Sequence, residues 1–188
     1  MTFHIDLGGK YDQLNCDSVL ALVDENGQSQ RALLIEASVK RSLLRKSRRT
    51  PDLKRWHAAF IAHLIEPYLS IVDHVVICDD YGPFSDILEH LDALLFANPQ
   101  YDNTRLESLA DFRLRCKSST RLKSSADRFA GTVLKHARRR KNVHRRHRCF
   151  EFVEVLNLAA CARIIKKGEE SDSPTASTVG TTADYSPQ

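Results

Sequence analysis

Asp127 is the first residue in this chain whose surroundings suggest chemistry. It lies in the stretch 123–141, KSSADRFAGTVLKHARRRK, where Ala126, Phe129, Ala130, Val133, Leu134 and Ala137 follow one another at gaps of 3, 1, 3, 1 and 3. That spacing predicts a helix with one buried face and with Ser124 or Ser125 as its cap. At about 100° per residue, Asp127 falls at the edge of the buried stripe. Gly131 comes one turn later and leaves nothing bulky beside the carboxylate. A run follows in which eight of the fourteen residues from Lys135 to Arg148 are Lys or Arg: Lys135, Arg138, Arg139, Arg140, Lys141, Arg145, Arg146 and Arg148. An acid at the rim of a core, beside bare backbone and a basic extension, suits metal-assisted chemistry on a phosphodiester. The same acid also suits a plainer role, complementing the positive end of the helix dipole. Three further aspartates close apolar runs: Asp6 ends 2–7 before Gly8 and Gly9, and Asp79 and Asp80 directly follow VDHVVIC, 72–78.

The elements that must position these acids follow from periodicity. Residues 2–7, 18–23 and 30–39 read as three antiparallel strands, the last two joined by Asp24-Glu25-Asn26-Gly27, a turn sequence that tolerates positive φ. Thr50, Pro51 and Asp52 form a helix start with Thr50 as cap. The helix continues to about Glu66 through Leu53, Trp56, Phe60 and Leu64, which read as core. Residues 72–78 form a buried strand, 83–96 a helix, and 110–117 a half-exposed strand whose outward face, Arg113, Arg115 and Lys117, is basic. Strand, acidic turn and helix make half of a βαβ unit, and ligands of open α/β sheets bind at the carboxyl ends of such strands. Residues 149–167 are apolar almost all round and read as a helix that needs cover, either from the domain or, in a homodimer, from a second copy of the chain.

The 188 residues suit one α/β domain over 1–167, followed by a disordered Ser/Thr/Gly/Pro and acidic tail over 168–188. There are 28 Lys and Arg against 24 Asp and Glu. The last 21 residues hold four of the acids and no base, so the body carries a surplus of eight positive charges. A polyanion, nucleic acid above all, is the partner this charge favours. The five cysteines are scattered without a CxxC pair and read as reduced thiols of a cytoplasmic protein. With no apolar run of spanning length, no membrane partner is expected. His144, His147 and Cys149 lack a fourth ligand and do not form a recognisable zinc site.

The resulting order is three strands, helix, strand, helix, strand, helix, with Asp6 in the first strand, Asp79 or Asp80 after the fourth and Asp127 in the helix after the fifth. Over residues 2–140 it resembles the ribonuclease H-like superfamily. FHIDLGG and LKSSADRFAGTVLK are similar to motifs of an uncharacterised prokaryotic family whose first strand reads Ile-Asp-Glu-Ser-Gly and whose last helix carries Ala-Asp-Leu-hydrophobic-Ala-Gly. Ala126, Asp127, Ala130 and Gly131 match, while Leu7 and Gly8 replace Glu and Ser. The resemblance implies a mixed sheet of three antiparallel strands and two further strands with flanking helices. It also implies a nuclease centre in which Asp6, Asp79 or Asp80, and Asp127 hold Mg or Mn. Two such cations about 3.5 to 4 Å apart activate the attacking water and stabilise the leaving oxygen. The alternatives are a non-catalytic basic nucleic-acid-binding protein on the same fold and a nuclease of the PIN type, against which the Asn-Gly hairpin argues.

Overall fold

In a computed structural model of the chain, residues 1–47, 50–78, 80–81, 83–97, 116–119, 124–138 and 148–170 are described. Strand β1 (Thr2–Gly8) alternates: Phe3, Ile5 and Leu7 are buried on one face, while Asp6 and Gly8 lie on the other. It pairs antiparallel with β2 (Ser18–Asp24), placing Asp6 opposite Ala21, and β2 pairs antiparallel with β3 (Gln30–Ile35). The buried carboxylate of Asp24 closes the intervening turn by accepting from the backbone N–H groups of Gln28 and Ser29, and Gly27 takes the positive φ of 70° that the turn requires. On its other side β1 pairs parallel with β4 (His74–Cys78), which pairs parallel with β5 (Cys116–Ser119).

Helices cover both faces of this sheet. One face packs on α2 (Leu53–Ile65), α3 (Phe84–Asp92, extended by a π-type turn, Ala93–Ala97) and the helix at the chain's end. Its core includes Phe3, Ile5, Leu22, Leu33, Phe60, Ile77 and Leu91. The other face receives α4 (Ser125–Arg138), whose Ala126, Phe129, Ala130, Val133 and Leu134 pack on Val19, Ala21, Ala32 and Leu34. The helix predicted from periodicity is therefore present, and its stripe is buried. Gly8 permits the close approach: a Cβ built there would stand 2.7 Å from Leu134 Cδ1 and 3.3 Å from Ala130 Cβ.

The structure corrects the sequence reading in several places. Strand β3 stops at Ile35, and helix α1 (Ala37–Lys46) takes the place of the expected strand end and of the start of the basic run that follows it. Its first N–H donates to Asp17 Oδ1, twenty residues upstream, and Lys40 is buried with its ammonium donating to the Lys10 and Gln13 carbonyls and to Ser18 Oγ. These partners come from the loop after β1 and the start of β2, so α1 is stabilised by contacts that no local pattern reveals. Asp52, rather than Thr50, caps α2, because its carboxylate accepts from both Lys54 N and Arg55 N. Strand β5 is described at Cys116–Ser119, and the predicted residues 110–115 lie outside the described residues.

The apolar stretch 149–167 is not one helix. After a short 3-10 turn (Arg148–Phe152), Val153–Leu156 forms β6, parallel to β3. It completes a six-stranded sheet, among the described residues, in the order β5-β4-β1-β2-β3-β6. Asn157 then caps α5 (Leu158–Glu170) through Ala160 N. A β-branched run beside an open sheet edge gains more as a strand than as a helical turn. Helix α5 buries Cys161, Ile164 and Ile165 and packs on α2 and α1, so part of the apolar surface that suggested a homodimer is covered within the chain, while Phe152 remains 46 % exposed. It also runs three residues past the predicted domain end at 167. Residues 171–188 lie outside the described residues. Among the described residues, no helix is long and apolar enough to cross a membrane.

Candidate metal centre

Strands β1 and β4 run side by side in the same direction, so their carboxyl ends emerge together. Asp6 comes from the first. Asp80 lies two residues past the end of the second. Ligand atoms of Asp6, Cys78 and Asp80 all lie within 4.8 Å of one another, close enough to share one cation. Asp79 lies outside the described residues.

Asp6 is partly buried. Its Oδ1 accepts from the Leu7 N–H at 2.8 Å and its Oδ2 from Ser124 Oγ at 3.2 Å. Burial, opposed by the Ser124 hydrogen bond but reinforced by the charges of Asp127 and Asp80, raises its pKa above the ordinary carboxylate value. No salt-bridge partner for Asp6 exists among the described residues. Cys78 donates to Asp80 Oδ2 at 2.7 Å, and burial together with the neighbouring Asp80 and Asp6 carboxylates pushes the thiol far up, so it remains protonated. The group therefore offers two carboxylates and a thiol as donors.

Asp127 is not among the residues whose ligand atoms converge, and it is linked to Asp6 through its backbone at the start of α4. Its backbone N–H donates to Ser124 Oγ at 3.0 Å, and the same hydroxyl donates to Asp6. The N-cap of α4 thus spans two acids that are 121 positions apart in the chain, and Asp127 is half-buried in the first turn. Gly131 has open space around it, as expected from its place one turn on.

Of the predicted phosphate contacts, Lys135 and Arg138 are exposed on the last turn of α4. Arg139, Arg140, Lys141, Arg145 and Arg146 lie outside the described residues, as do His144 and His147, and of Arg148 only the backbone is described. Two members of the group escape sequence reasoning. Cys78 reads there only as one of five scattered thiols, although its place immediately before Asp79-Asp80 is a signal. Ser124 reads as a cap, and nothing local indicates that a cap hydroxyl also serves a carboxylate on β1.

A cleft of about 600 Å³ lies elsewhere, between α1, the start of α2 and α5, lined in part by Leu43, Lys46, Trp56 and Ile165. It shares no lining residue with the acids. Comparison with protein-family models, curated proteins and solved structures found no match to this chain. The geometry alone therefore carries the functional reading.

Proposed function

We propose that this protein processes phosphodiesters in nucleic acid with a bound divalent cation. The observation that carries this reading is the meeting of Asp6 and Asp80 at the ends of neighbouring parallel strands, with the backbone N–H of Asp127 linked to Asp6 through Ser124. The strand order β5-β4-β1-β2-β3, in which β2 alone is reversed, supports a ribonuclease H-like architecture extended by β6. In this reading Asp6 and Asp80 hold Mg or Mn, which prefer oxygen donors, and Asp127 is the third acid. The cation would supply a water of lowered pKa and neutralise charge on the phosphate. The chain's own groups orient the acids: Ser124 fixes Asp6, and the Cys78 thiol fixes Asp80. Lys135 and Arg138 begin the basic run that would follow the phosphate backbone.

The test is a nuclease assay with Mn on single-stranded, duplex and branched substrates, using parent protein and Asp127→Asn. The variant should lose cleavage and keep or tighten binding, because a negative charge near phosphate is gone. Undiminished cleavage in a contamination-controlled preparation would remove Asp127 from the centre. Replacing Arg138, Arg139 and Arg140 with Ala should weaken binding to all sequences alike, and on duplex DNA should flatten the log-log salt slope by about 0.9 for each phosphate no longer neutralised. Unchanged affinity would remove the run from the interface.

One observation favours a second reading, a binder without chemistry. Leu7, where the resembled family carries Glu, is 8 % exposed and belongs to the core, and Gly8, where it carries Ser, is closed over by α4. A binder would show salt-sensitive affinity that survives Asp6→Asn and Asp127→Asn, with no cleavage by the parent protein.

A further inference from the structure

A second polar cluster adjoins the acids. Tyr11, 1 % exposed, enters the core from the loop after β1, and Tyr81 directly follows Asp80. Their rings stack with centroids 5.3 Å apart and planes within 1° of parallel, and the Tyr11 backbone N–H donates to the Tyr81 hydroxyl. The Tyr11 hydroxyl in turn meets Nδ1 of His57 on α2 at 3.3 Å. His57 is fully buried, and burial drives its pKa down to about 3, so the ring is neutral. Its Nε2 has no hydrogen-bond partner among the described residues. An apolar residue of similar size would avoid that unsatisfied nitrogen, so packing alone does not account for histidine here.

The chain path gives the cluster a use. Asp6 lies five residues before Tyr11, across Gly9 with its positive φ of 74°. Asp80 is bonded to Tyr81. The stacked rings therefore tie together the two strand-end segments that carry the acids, and His57 anchors the pair to α2. The β1–β4 ladder ends at Ile5 and Ile77, and two carboxylates this close repel one another when ionised, so the segments beyond the ladder are pushed apart in the absence of cation. We propose that Tyr11 and Tyr81, backed by His57, are positioning residues that hold Asp80 against Asp6 in readiness for a divalent cation. This rests on the metal reading above.

The experiment is Mn titration of the full chain, followed by calorimetry and by the electron paramagnetic resonance signal of free and bound Mn. Tyr81→Leu removes both ring and hydroxyl and should weaken Mn binding by about tenfold or more, the usual loss when a group orienting a ligand is removed. Tyr81→Phe keeps the stacked ring and should retain most of the affinity. Ile164→Ala, on the buried face of α5, controls for general destabilisation and should bind Mn as the parent does. Parent-like affinity in Tyr81→Leu, or equal weakening in Ile164→Ala, overturns the proposal while leaving the metal centre standing. If the parent itself binds no Mn, the metal reading fails and the proposal fails with it. Should Tyr81→Leu not fold, Tyr11→Phe decides: it keeps the stack but removes the hydroxyl that meets His57, and should bind Mn about threefold more weakly, at the mild end of such orienting effects. Unchanged affinity in that variant overturns the proposal.

Discussion

Asp6 on β1 and Glu154 on β6 are both partly buried carboxylates on one sheet, and their surroundings push them in opposite directions. Burial raises the carboxyl of Glu154, but His63 and Arg31 more than offset it and leave its pKa lowered. Arg31 donates to Glu154 at 2.9 Å, His63 Nε2 lies 3.2 Å away, and Arg31 also donates to the His63 carbonyl at 3.4 Å. This knot fastens β6 to β3 and α2. At Asp6 the neighbouring charges are acids, and its pKa is raised. A protein that needed Asp6 only for structure would gain by pairing it as it pairs Glu154. The contrast shows which acid is already compensated and which would gain from a cation.

Adding the cation puts this contrast to its hardest test. Mn at about 100 times its dissociation constant should raise unfolding free energy by about 2.7 kcal/mol, read as a higher melting temperature. Asp6→Asn and Asp80→Asn should each remove most of that gain, and Glu154→Gln should leave it intact. A response equal in all four proteins would mean that Mn binds elsewhere.

Less is expected from the other carboxylate. Glu154→Gln removes a charge that Arg31 and His63 both contact, and since the site is more than a third exposed, solvent screening limits the loss to about 1 kcal/mol in denaturant unfolding. Loss of β6 pairing, seen as fast amide exchange at Val153–Leu156, would follow if the knot does more than fasten a side chain. No change in either measurement would make the ion pairs incidental.

The parts of this contrast that the sequence displays are the local ones. A short apolar run stopped by Gly8 and Gly9 shows β1, and 3-and-4 spacing shows α4 and its stripe, because the end of a run and the burial of one face leave local marks wherever the element sits. Asp6 and Asp127 can be named for that reason. What cannot be read depends on partners distant in the chain. The first N–H of α1 finds its acceptor at Asp17, across the whole β2–β3 hairpin, and Val153–Leu156 becomes a strand because β3 leaves an edge beside it. Ser124 carries the signature of a cap but not of a bridge to β1, and nothing near Glu154 in sequence announces Arg31. The acid centre is legible as residue types, whereas its packing partners are legible only in three dimensions.

The smallest effect is also the one whose sign separates the two regions. With its folded pKa raised, Asp6 binds a proton more tightly in the native state than in the unfolded chain. The favourable contribution is fully present below the unfolded value of 3.8 and is lost as pH rises through the higher folded value. Cation-free protein should therefore gain from this group on mild acidification, from neutral toward that value. Glu154, with a lowered folded pKa, contributes stability that is present above 4.5 and is lost as pH falls through its folded value. Asp6→Asn in cation-free protein should flatten the first trend and, at pH 7, leave stability equal to or slightly above the parent, since the amide oxygen can still accept from Ser124 or Leu7 without the burial and repulsion that oppose a charge. Glu154→Gln should flatten only the acid limb. Urea unfolding at intervals from pH 3 to pH 8, with a chelator present throughout, measures both. A marked loss of stability in Asp6→Asn at pH 7 would show that the ionised carboxylate is already compensated, and would place Asp6 with Glu154 rather than against it.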